Sequence, residues 1–549
     1  MLVIKLAVDK IIRRTHRRDD DKPWLLSYYL PMRAPNVPLK KLDLNPLFKK
    51  ALHLMEESDK NVLVTGRAGT GKSTLLEHFR SITRKETVVL APTGVAAVNV
   101  SGQTIHSFFR FSPNMTTVNI KRVANPVYAK IDAIVIDEIS MVRADLLDCV
   151  DNFLRMNGRT KSVPFGGIQM IFIGDLYQLP PVVRGKQEQG IFNKHYESAY
   201  FFDSHAFRGV EFEYVELEKV YRQTDESFIR LLNSIRNKSI TDEEIELINE
   251  RYVEDSKALS GDAIYLTTTN AMAGERNEME LSKLKGKPYL FEADIRGDFE
   301  ETSFPADEAL RIKNGAQVML LNNDPDGRWV NGTIGTICDI KRDLLLVRFA
   351  GGDVEEVYPF TWKNYRFFWN EETKSLGSAA AGTFTQYPVR LAWAITIHKS
   401  QGKTFDNAVI DIGRGTFAPG QLYVALSRCR TFDGLHLKKQ IKKSNIWLDW
   451  RVVKFLTGYQ YERSERQSPL ETKVELLRKA IEDGSHLEIT YLKPDDSKSR
   501  RVIKPGSVQE MEYMGVKFLG LKAYCLQRQA DRNFRVDRIL EMRETTPPK

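Results

Sequence analysis

A chain of 549 residues is long enough to form three or four domains, each with its own buried core. Its four cysteines stand singly, which excludes a disulfide scaffold or a zinc module, and no run of about 20 apolar residues is present to cross a membrane. The formal net charge of +9 has the sign expected of a protein that binds polyanions, and the sequence as a whole is typical of a reducing, cytoplasmic compartment.

The first motif is a glycine-rich loop between a predicted strand and a predicted helix. Gly66 ends an apolar run, four residues intervene, and Gly71, Lys72 and Ser73 follow. Backbone N–H groups between two glycines can surround a polyphosphate, while the lysine reaches the β and γ oxygens and the serine hydroxyl binds Mg²⁺. The chain is therefore expected to bind and hydrolyse a nucleoside triphosphate.

A second motif lies at the end of another predicted strand. The apolar residues 133–136 read as a buried parallel strand that runs into Asp137 and Glu138. Asp137 is placed to orient Mg²⁺ through its water shell, and Glu138 to polarise the water that attacks the γ-phosphate. Together with the glycine-rich loop, this pair predicts a complete hydrolytic site.

Strands ending in polar loops alternate with helices from about residue 41 to 182, which predicts a parallel sheet covered on both faces. We interpret this region as a nucleotide-binding domain, and residues 1–40, which mix basic, acidic and proline residues, as a peripheral arm. A less regular stretch at about 100–125 is expected to project as a small subdomain.

Residues 183–455 resume the α/β pattern and predict a second domain. Within it, residues 316–385 contain short β-rich runs separated by Asn-Gly and Gly-Gly-Asp turns, which predict an inserted antiparallel barrel. The polar residues 456–469 are interpreted as a flexible linker, and residues 470–549 as a separate α+β module.

Three polar residues after predicted strands or turns suggest how hydrolysis could drive movement. Gln178 follows an apolar strand and is placed to contact the γ-phosphate. Arg222 and Arg428 stand where a second domain could face the nucleotide, and an arginine delivered to the γ-phosphate accelerates transfer by about 10³ to 10⁵. Closing two domains would then supply the arginines; the alternative for each is a surface ion pair.

Seven segments carry a family resemblance. In chain order they are GRAGTGKST, APTGVAA with SGQTIHSFF, IVIDEISMV, GDLYQLPPV, VYRQTDESFIRLLNSIR, TIHKSQGKTFDNAVIDIG and LYVALSRCRTFDGL. Their order and spacing over residues 41–455 resemble the motifs of the Pif family, superfamily-one, RecD-like DNA helicases that move 5′ to 3′ on single-stranded DNA. The resemblance implies an α/β protein with two RecA-like parallel-sheet domains, a wedge at 100–125 and an inserted SH3-like β-barrel. It also implies ATP and Mg²⁺ as cofactors, single-stranded and tailed or forked duplex DNA as partners, and a motor that works as a monomer.

The resemblance also assigns roles to individual residues. Its catalytic set is Lys72, Glu138, the γ-phosphate sensor Gln178, and the arginine fingers Arg222 and Arg428. The remaining nucleotide and metal residues are Gly66, Ala68, Gly69, Thr70, Gly71, Ser73, Thr74, Asp137 and Gly402. The DNA path is lined by Thr93, Gly94, His106, Phe108, Thr268, Asn270, Thr396, His398 and Lys399. For Phe108 the alternative is core packing, and for His398 a hydrogen bond at a helix start.

One position departs from the family pattern. These helicases carry a glutamine shortly before the phosphate loop, where it reads adenine, and Phe48 stands there in this chain. The base would stack on Phe48 or be held by the backbone near Leu44, and selectivity for adenine stays open.

Residues 470–546 resemble a WYL domain, a bacterial module with an Sm-like barrel. Of the naming triplet, Lys517-Phe518-Leu519 keeps only the leucine. We hypothesise a second site for single-stranded DNA or a nucleotide ligand, made by basic side chains and one aromatic ring, whereas an ordinary solvated face is the alternative. Its members are Arg500, Arg501, Lys504, Phe518, Arg535 and Arg538.

The leading interpretation is thus an ATP-driven motor that unwinds duplex DNA, in a bacterial, nucleoid-associated setting. The motifs do not clearly distinguish this motor from a RecD-like or transposon-associated helicase with other functions. From another class, the chain could be a DNA-stimulated ATPase switch that changes its grip without unwinding.

Overall fold

The computed structural model describes residues 44–112, 115–123, 125–183, 190, 192–254, 263–299, 301–370, 375–494, 498–513 and 515–545. These residues fall in one compact unit that begins at Leu44. The predicted arm, residues 1–40, lies outside the described residues. Within the described residues, no helix combines the length and apolar character of a membrane span.

The first sheet has six strands in the order β3-β2-β4-β5-β1-β6, and every registered pair in it is parallel. The central strands are short apolar runs buried on both faces, as parallel sheets under helices require. Its strands are β1 Asn61–Gly66, β2 Thr87–Ala91, β3 Gln103–Thr104, β4 Ala133–Ile136, β5 Gln169–Gly174 and β6 Phe212–Leu217. The helices in this part of the chain are α1 Pro46–Glu57, α2 Lys72–Ile82, α3 Gly94–Asn99, α4 Ile105–Phe109, α5 Ala144–Asn157 and α6 His205–Arg208.

The predicted boundary after residue 182 is wrong, because β6 belongs to the first sheet. It pairs with β1 along its whole length, from Asn61 opposite Phe212 to Gly66 opposite Leu217. As an edge strand, β6 is only partly buried, so its sequence lacks the continuous apolar run of the inner strands. The first domain therefore extends to at least residue 217.

The stretch predicted to project as a wedge is only partly separate from the core. Phe108, Phe109 and Phe111 are buried, and the Phe109 ring lies 5.2 Å from that of Phe153 on α5. The aromatic half of this segment is thus an anchor in the core of the first domain.

The second parallel sheet has four strands in the order β18-β7-β19-β20. The strands are β7 Ile264–Thr267, β18 Ala394–Thr396, β19 Ala408–Asp411 and β20 Leu435–Leu437. The helices between β6 and the end of this sheet are α7 Glu226–Arg236, α8 Asp242–Asn249, α9 Asn270–Lys283 and α10 Gln421–Leu426. Two RecA-like parallel sheets, as the family resemblance implied, are thus confirmed.

Between α9 and β18 the chain is β-rich and antiparallel, over a longer interval than the predicted 316–385. Its largest sheet has the order β14-β13-β12-β11-β17, beside a three-stranded sheet β15-β16-β9 and the pair β10-β8. These strands are β8 Tyr289–Glu292, β9 Asp294–Gly297, β10 Ala309–Ile312, β11 Gln317–Leu320, β12 Ile334–Ile340, β13 Leu345–Phe349, β14 Val354–Val357, β15 Phe360–Asn370, β16 Ser375–Gln386 and β17 Val389–Leu391. The five-stranded sheet and the pair β10-β8 share one apolar core, whereas Trp362 of β15 and Phe384 of β16 belong to the large core of the parallel-sheet domains. Closure of the interval into an SH3-like barrel stays a prediction.

The linker predicted at 456–469 is wrong, because helix α11, Trp450–Gln467, runs through most of it. The Phe455 ring stacks on Phe202 with centroids 4.4 Å apart, and the Tyr459 hydroxyl donates to the Phe212 carbonyl at 2.9 Å. At the far end, the Ser464 hydroxyl donates to the Leu540 carbonyl of the C-terminal module at 3.0 Å. This helix packs partly through tyrosine and serine side chains, so its sequence is polar. A polar sequence is also typical of a linker, and for that reason the helix was not predicted.

The C-terminal module is α+β, as predicted. Helix α12, Leu470–Glu482, covers an antiparallel sheet in the order β24-β23-β22-β21-β25. The strands are β21 His486–Leu492, β22 Lys498–Tyr513, β23 Val516–Cys525, β24 Ala530–Arg535 and β25 Ile539–Thr545.

Candidate nucleotide and nucleic-acid site

The phosphate loop connects β1 to α2, and its glycines are required by its shape. Gly69 and Gly71 have φ values of +80° and +85°, which L side chains rarely adopt. A Cβ on Gly66 would lie 2.6 Å from Thr70 Oγ1, and one on Gly69 would lie 2.5 Å from Arg222 Cβ. The loop is therefore packed too closely for a side chain at Gly66 or Gly69, whereas Gly71 is required by its backbone conformation.

Lys72 stands at the first position of α2 with its ammonium turned back into the loop. Its Nζ donates to the carbonyls of Gly66 at 2.8 Å and Arg67 at 3.0 Å. Burial lowers the pKa of Lys72, while the nearby carboxylates of Asp175 and Glu138 oppose that shift. Ser73 is exposed on the first turn of the helix, followed by the half-buried Thr74.

The two carboxylates lie at the end of β4, as predicted. Glu138 has a φ of +50°, a left-handed conformation that is uncommon for a residue with a side chain and that concentrates at functional sites. Burial raises the pKa of Asp137, and burial together with the Asp137 charge raises the pKa of Glu138 to about 7. The pair is half-buried, and a cation or an incoming positive charge is favoured beside two carboxylates in such surroundings.

The donor set fits Mg²⁺ bound jointly with a nucleotide. Within the described part of the chain, no group of three or more His, Cys, Asp or Glu residues is arranged to hold a metal by itself. Ser73 and Asp137 supply one hydroxyl and one carboxylate, and Mg²⁺ typically takes such a pair together with phosphate oxygens and water.

Gln178 lies after β5 in a buried loop, where its amide is held by a second carboxylate. Gln178 Nε2 donates to Asp175 Oδ2 at 3.1 Å, and Asp175 is fully buried. The Arg236 guanidinium lies 3.7 Å from the centroid of the Tyr177 ring and its Nε lies 3.8 Å from Asp175 Oδ1. The motifs predicted the glutamine but missed the groups that fix it, because Arg236 lies about 60 residues along the chain.

The two predicted arginine fingers lie close together, but Arg222 does not belong to the second domain. It follows β6 of the first sheet, and Tyr221 N donates to the Gly69 carbonyl at 2.8 Å. Arg222 Nη1 donates to the Ser427 carbonyl at 3.2 Å. The loop that carries Arg222 thus rests on the phosphate loop and holds the end of helix α10.

Arg428 follows α10 and is buried. Its Nε donates to the Val424 carbonyl at 2.9 Å, and its Nη1 lies 3.4 Å from the carbonyls of Ser400 and Lys403. Burial, then the neighbouring Arg222 charge, lowers the pKa of Arg428 to about 9. Gly402 lies between Ser400 and Lys403 in the loop that Arg428 contacts, and its φ is +75°.

Phe48 is an unsuitable surface for the base, since it is buried in the packing of α1, with 3% of its surface exposed. Tyr221, in contrast, is 42% exposed, and a Cβ on Gly71 would lie 3.7 Å from its ring. Asn45 Nδ2 donates to the Tyr221 hydroxyl at 3.0 Å and fixes the ring. Sequence reasoning missed Tyr221, although an aromatic residue directly before Arg222 was the available signal.

The first-domain residues assigned to the DNA path follow β2 and β3, which are parallel neighbours in the first sheet. Thr93 caps α3 by accepting from Ala96 N at 3.2 Å, and a Cβ on Gly94 would lie 2.5 Å from Ser303 Cα in the inserted region. His106 is half-buried on α4. The assignment of Phe108 is wrong, because its ring packs edge-on against Phe109 and Tyr128 in the core and offers no face to a base.

The second-domain residues of the DNA path share one sheet edge. Thr268 and Asn270 follow β7, Thr396 ends β18, and β7 and β18 are parallel neighbours. Thr396 Oγ1 accepts from Lys399 N at 3.3 Å. The His398 ring is stacked beside the half-exposed ring of Phe417 at 6.5 Å, and burial lowers the pKa of His398.

The six residues proposed for a C-terminal site do not form one cluster. The Arg535 guanidinium lies 4.9 Å from the centroid of the Phe518 ring, so these two are together. Strand alternation places Arg500 and Lys504 on one face of β22 and Arg501 on the other, where its Nη1 lies 3.7 Å from Cys525 Sγ.

Arg538 lies in the turn between β24 and β25, and its charge acts on Tyr461 of α11. Arg501 is therefore removed from the candidate site, whereas the membership of Arg538 stays a prediction.

Two parts of the chain match known protein families. Residues 45–246 match the family described as PIF1-like helicase, and residues 472–544 match the WYL domain family. The ATP-dependent DNA helicase Pif1 of Bdellovibrio bacteriovorus is 33% identical over 447 residues, covering 78% of this chain and 95% of the relative.

Solved structures agree. Bacteroides sp. Pif1 in complex with ADP-AlF4 is 36% identical with a TM-score of 0.70, covering 77% of this chain and 98% of that one. A structure of two coordinating Pif1 helicases at forked double-stranded DNA is 36% identical with a TM-score of 0.56, over 77% and 98% of the two chains. The chain therefore belongs to the PIF1-like helicase family, with a WYL domain at its C-terminal end.

Proposed function

We propose that this protein is an ATP-dependent DNA helicase that translocates 5′ to 3′ on single-stranded DNA and separates duplexes. The observation that carries the proposal is the joining of two parallel sheets at one nucleotide site. The phosphate loop, Glu138 and Gln178 lie at the carboxyl edge of the first sheet, and helix α10 of the second domain approaches them through Tyr423, whose hydroxyl accepts from Ala68 N at 2.9 Å. A change in the nucleotide can thus be transmitted to the second domain.

Each nucleotide-site residue has a chemical role in this proposal. Lys72 binds the β and γ oxygens, Ser73 and Asp137 hold Mg²⁺, and Glu138 activates the attacking water. Arg222 and Arg428 stabilise the charge that develops on the γ-phosphate; their side chains now bond backbone carbonyls and would have to turn toward it. Tyr221 stacks on the base, which explains how a chain without the adenine-reading glutamine holds its nucleotide.

The proposed DNA path joins polar groups of both domains. Thr93, Gly94 and His106 serve the first domain, and Thr268, Asn270, Thr396, His398 and Lys399 the second. Hydroxyls, amides and imidazoles hold phosphates without reading bases, which suits a motor that must move along any sequence.

The test is ATP hydrolysis with and without single-stranded DNA, together with displacement of streptavidin from a biotin at either DNA end. We expect hydrolysis that depends on DNA and Mg²⁺, displacement only from the 3′ end, and loss of both in Lys72→Ala. Hydrolysis without displacement from either end would favour the ATPase switch instead.

The motor is proposed to act as a monomer, since one chain supplies every group of the nucleotide site. Unwinding of a substrate with a single-stranded tail only long enough for one molecule should then proceed. A requirement for a longer tail that seats a second copy would contradict this proposal.

The C-terminal module is proposed to bind single-stranded DNA, or a nucleotide ligand, through Phe518, Arg535, Arg500 and Lys504. Arg535 is already paired with Asp537 at 2.6 Å, so Arg500 and Lys504 carry the net positive charge offered to phosphates. Arg500→Gln with Lys504→Gln should weaken single-strand binding and flatten its salt dependence, because each phosphate contact adds to the slope. Unchanged affinity and slope would leave these residues as a solvated face.

A further inference from the structure

Tyr423 on helix α10 connects two parts of the nucleotide site that the sequence motifs treat separately. Its hydroxyl accepts a hydrogen bond from Ala68 N, at 2.9 Å, in the phosphate loop. The same hydroxyl donates to Asp175 Oδ2 at 3.3 Å, and that oxygen also accepts from Gln178 Nε2 at 3.1 Å. A continuous chain of hydrogen bonds thus runs from the phosphate loop to the γ-phosphate sensor.

The side chains that form this series of hydrogen bonds are shielded from water. Tyr423 is 4% exposed, Asp175 0% and Gln178 7%. Burial, then the Asp175 charge, raises the pKa of Tyr423, so the hydroxyl keeps its proton and remains a donor. In such surroundings a lost hydrogen bond leaves a polar group without water to replace its partner.

The start of α10 also packs closely against the loop that carries Tyr177 and Gln178, here called the sensor loop. Gly420 begins the helix with a φ of +71°, and a Cβ there would lie 2.3 Å from the Tyr177 carbonyl and 2.5 Å from that of Gln178. The start of the helix is therefore pressed directly against the sensor loop. Arg428 follows the other end of the same helix, so α10 connects the loop that carries Gln178 to this arginine.

We propose that the Tyr423 hydroxyl is a positioning group that couples occupancy of the phosphate loop to Gln178 and to helix α10, which Arg428 follows. A phosphate oxygen near Ala68 would compete with the Tyr423 hydroxyl for the hydrogen bond that Ala68 N donates. The same oxygen could also accept the hydrogen bond that the hydroxyl now donates to Asp175. Either change alters how Asp175 holds Gln178. The inference rests on the proposed nucleotide site and adds to it the path by which the first domain informs the second.

The test is Tyr423→Phe, which keeps the buried ring and removes only the hydroxyl. We expect kcat for DNA-stimulated ATP hydrolysis to fall about tenfold, the worth of one hydrogen bond to a charged group, with KM for ATP and affinity for a fluorescent ADP nearly unchanged. Asp175→Asn should lower kcat as well, and the double variant should be no worse than the poorer single one, since both changes break the same chain.

Tyr128→Phe is the matched control. Tyr128 is also a buried tyrosine, and its hydroxyl donates to the Phe108 carbonyl at 3.0 Å, away from the phosphate loop. This variant should keep the wild-type kcat. A Tyr423→Phe enzyme with wild-type kcat, or a loss that adds independently to that of Asp175→Asn, would overturn the inference.

A purely structural role gives a different pattern. Tyr423→Phe would then lower the melting temperature and the ADP affinity together with kcat, and Tyr128→Phe would behave in the same way. Lys72→Ala separates this inference from the proposed function, because residual hydrolysis in that variant would refute the nucleotide site itself. An inactive Lys72→Ala beside an unaffected Tyr423→Phe would refute only the coupling.

Discussion

Replacing Gly69 by alanine tests how closely the phosphate loop and the Arg222 loop depend on one another. The new Cβ would lie 2.5 Å from Arg222 Cβ, where ordinary contacts are 3.4–4 Å, so the Arg222 loop must retreat by about 1 Å. A misplacement of about 1 Å at a reacting centre costs roughly 10²-fold in rate. We therefore expect kcat for ATP hydrolysis to fall about 100-fold in Gly69→Ala.

The backbone strain of this change has its own control. Gly286 has a φ of +85°, close to the +80° of Gly69, but a Cβ there would meet nothing within 4 Å. Both alanine variants should lose about 1–2 kcal/mol of stability, the cost of a left-handed residue with a side chain. Only Gly69→Ala should lose activity, as measured by steady-state DNA-stimulated hydrolysis beside thermal unfolding. Equal losses of kcat in the two variants, or wild-type kcat in Gly69→Ala, would refute the steric argument.

Three further outcomes follow from contacts around the site and helix α11. Phe455→Ala should destabilise the protein by about 3 kcal/mol in denaturant unfolding, since the ring stacks on Phe202; an unchanged free energy of unfolding would mean that this contact does not hold helix α11. Tyr221→Ala should raise KM for ATP and for other triphosphates alike, whereas Tyr221→Phe should not; equal effects of the two would exclude stacking. Lys498→Met should lower the melting temperature, most at low salt, because it removes the 2.5 Å ion pair that joins the C-terminal module to Glu216; an unchanged melting temperature would mean that this pair contributes nothing.

Local patterns predicted the strands and the helix that flank the phosphate loop and the Asp137–Glu138 pair. The glycine-rich loop and the Asp137–Glu138 strand end are each contiguous in sequence, and the geometry they require is set by a strand, a turn and a helix start. What the sequence could not supply was the identity of partners distant along the chain. Tyr423 lies 355 residues from Ala68 along the chain, and the neighbouring sequence does not indicate that it forms a hydrogen bond with the phosphate loop.

The errors have equally specific causes. Strand β6 was assigned to the wrong domain because an edge strand needs no continuous apolar run. Helix α11 was taken for a linker because it packs through tyrosine and serine as well as aliphatic residues. Phe108 was assigned to DNA because a ring in a motif suits both a base and a core, and only its packing against Phe109 and Tyr128 decides between them.

Strand separation on two matched duplexes, one with a 5′ single-stranded tail and one with a 3′ tail, in ATP and Mg²⁺, tests the proposed motor most directly. Only the 5′-tailed duplex should open, and Lys72→Ala should open neither. Opening of the 3′-tailed duplex alone would contradict the proposed polarity. If neither duplex opens while DNA still stimulates ATP hydrolysis, the protein is a switch and the motor proposal is refuted.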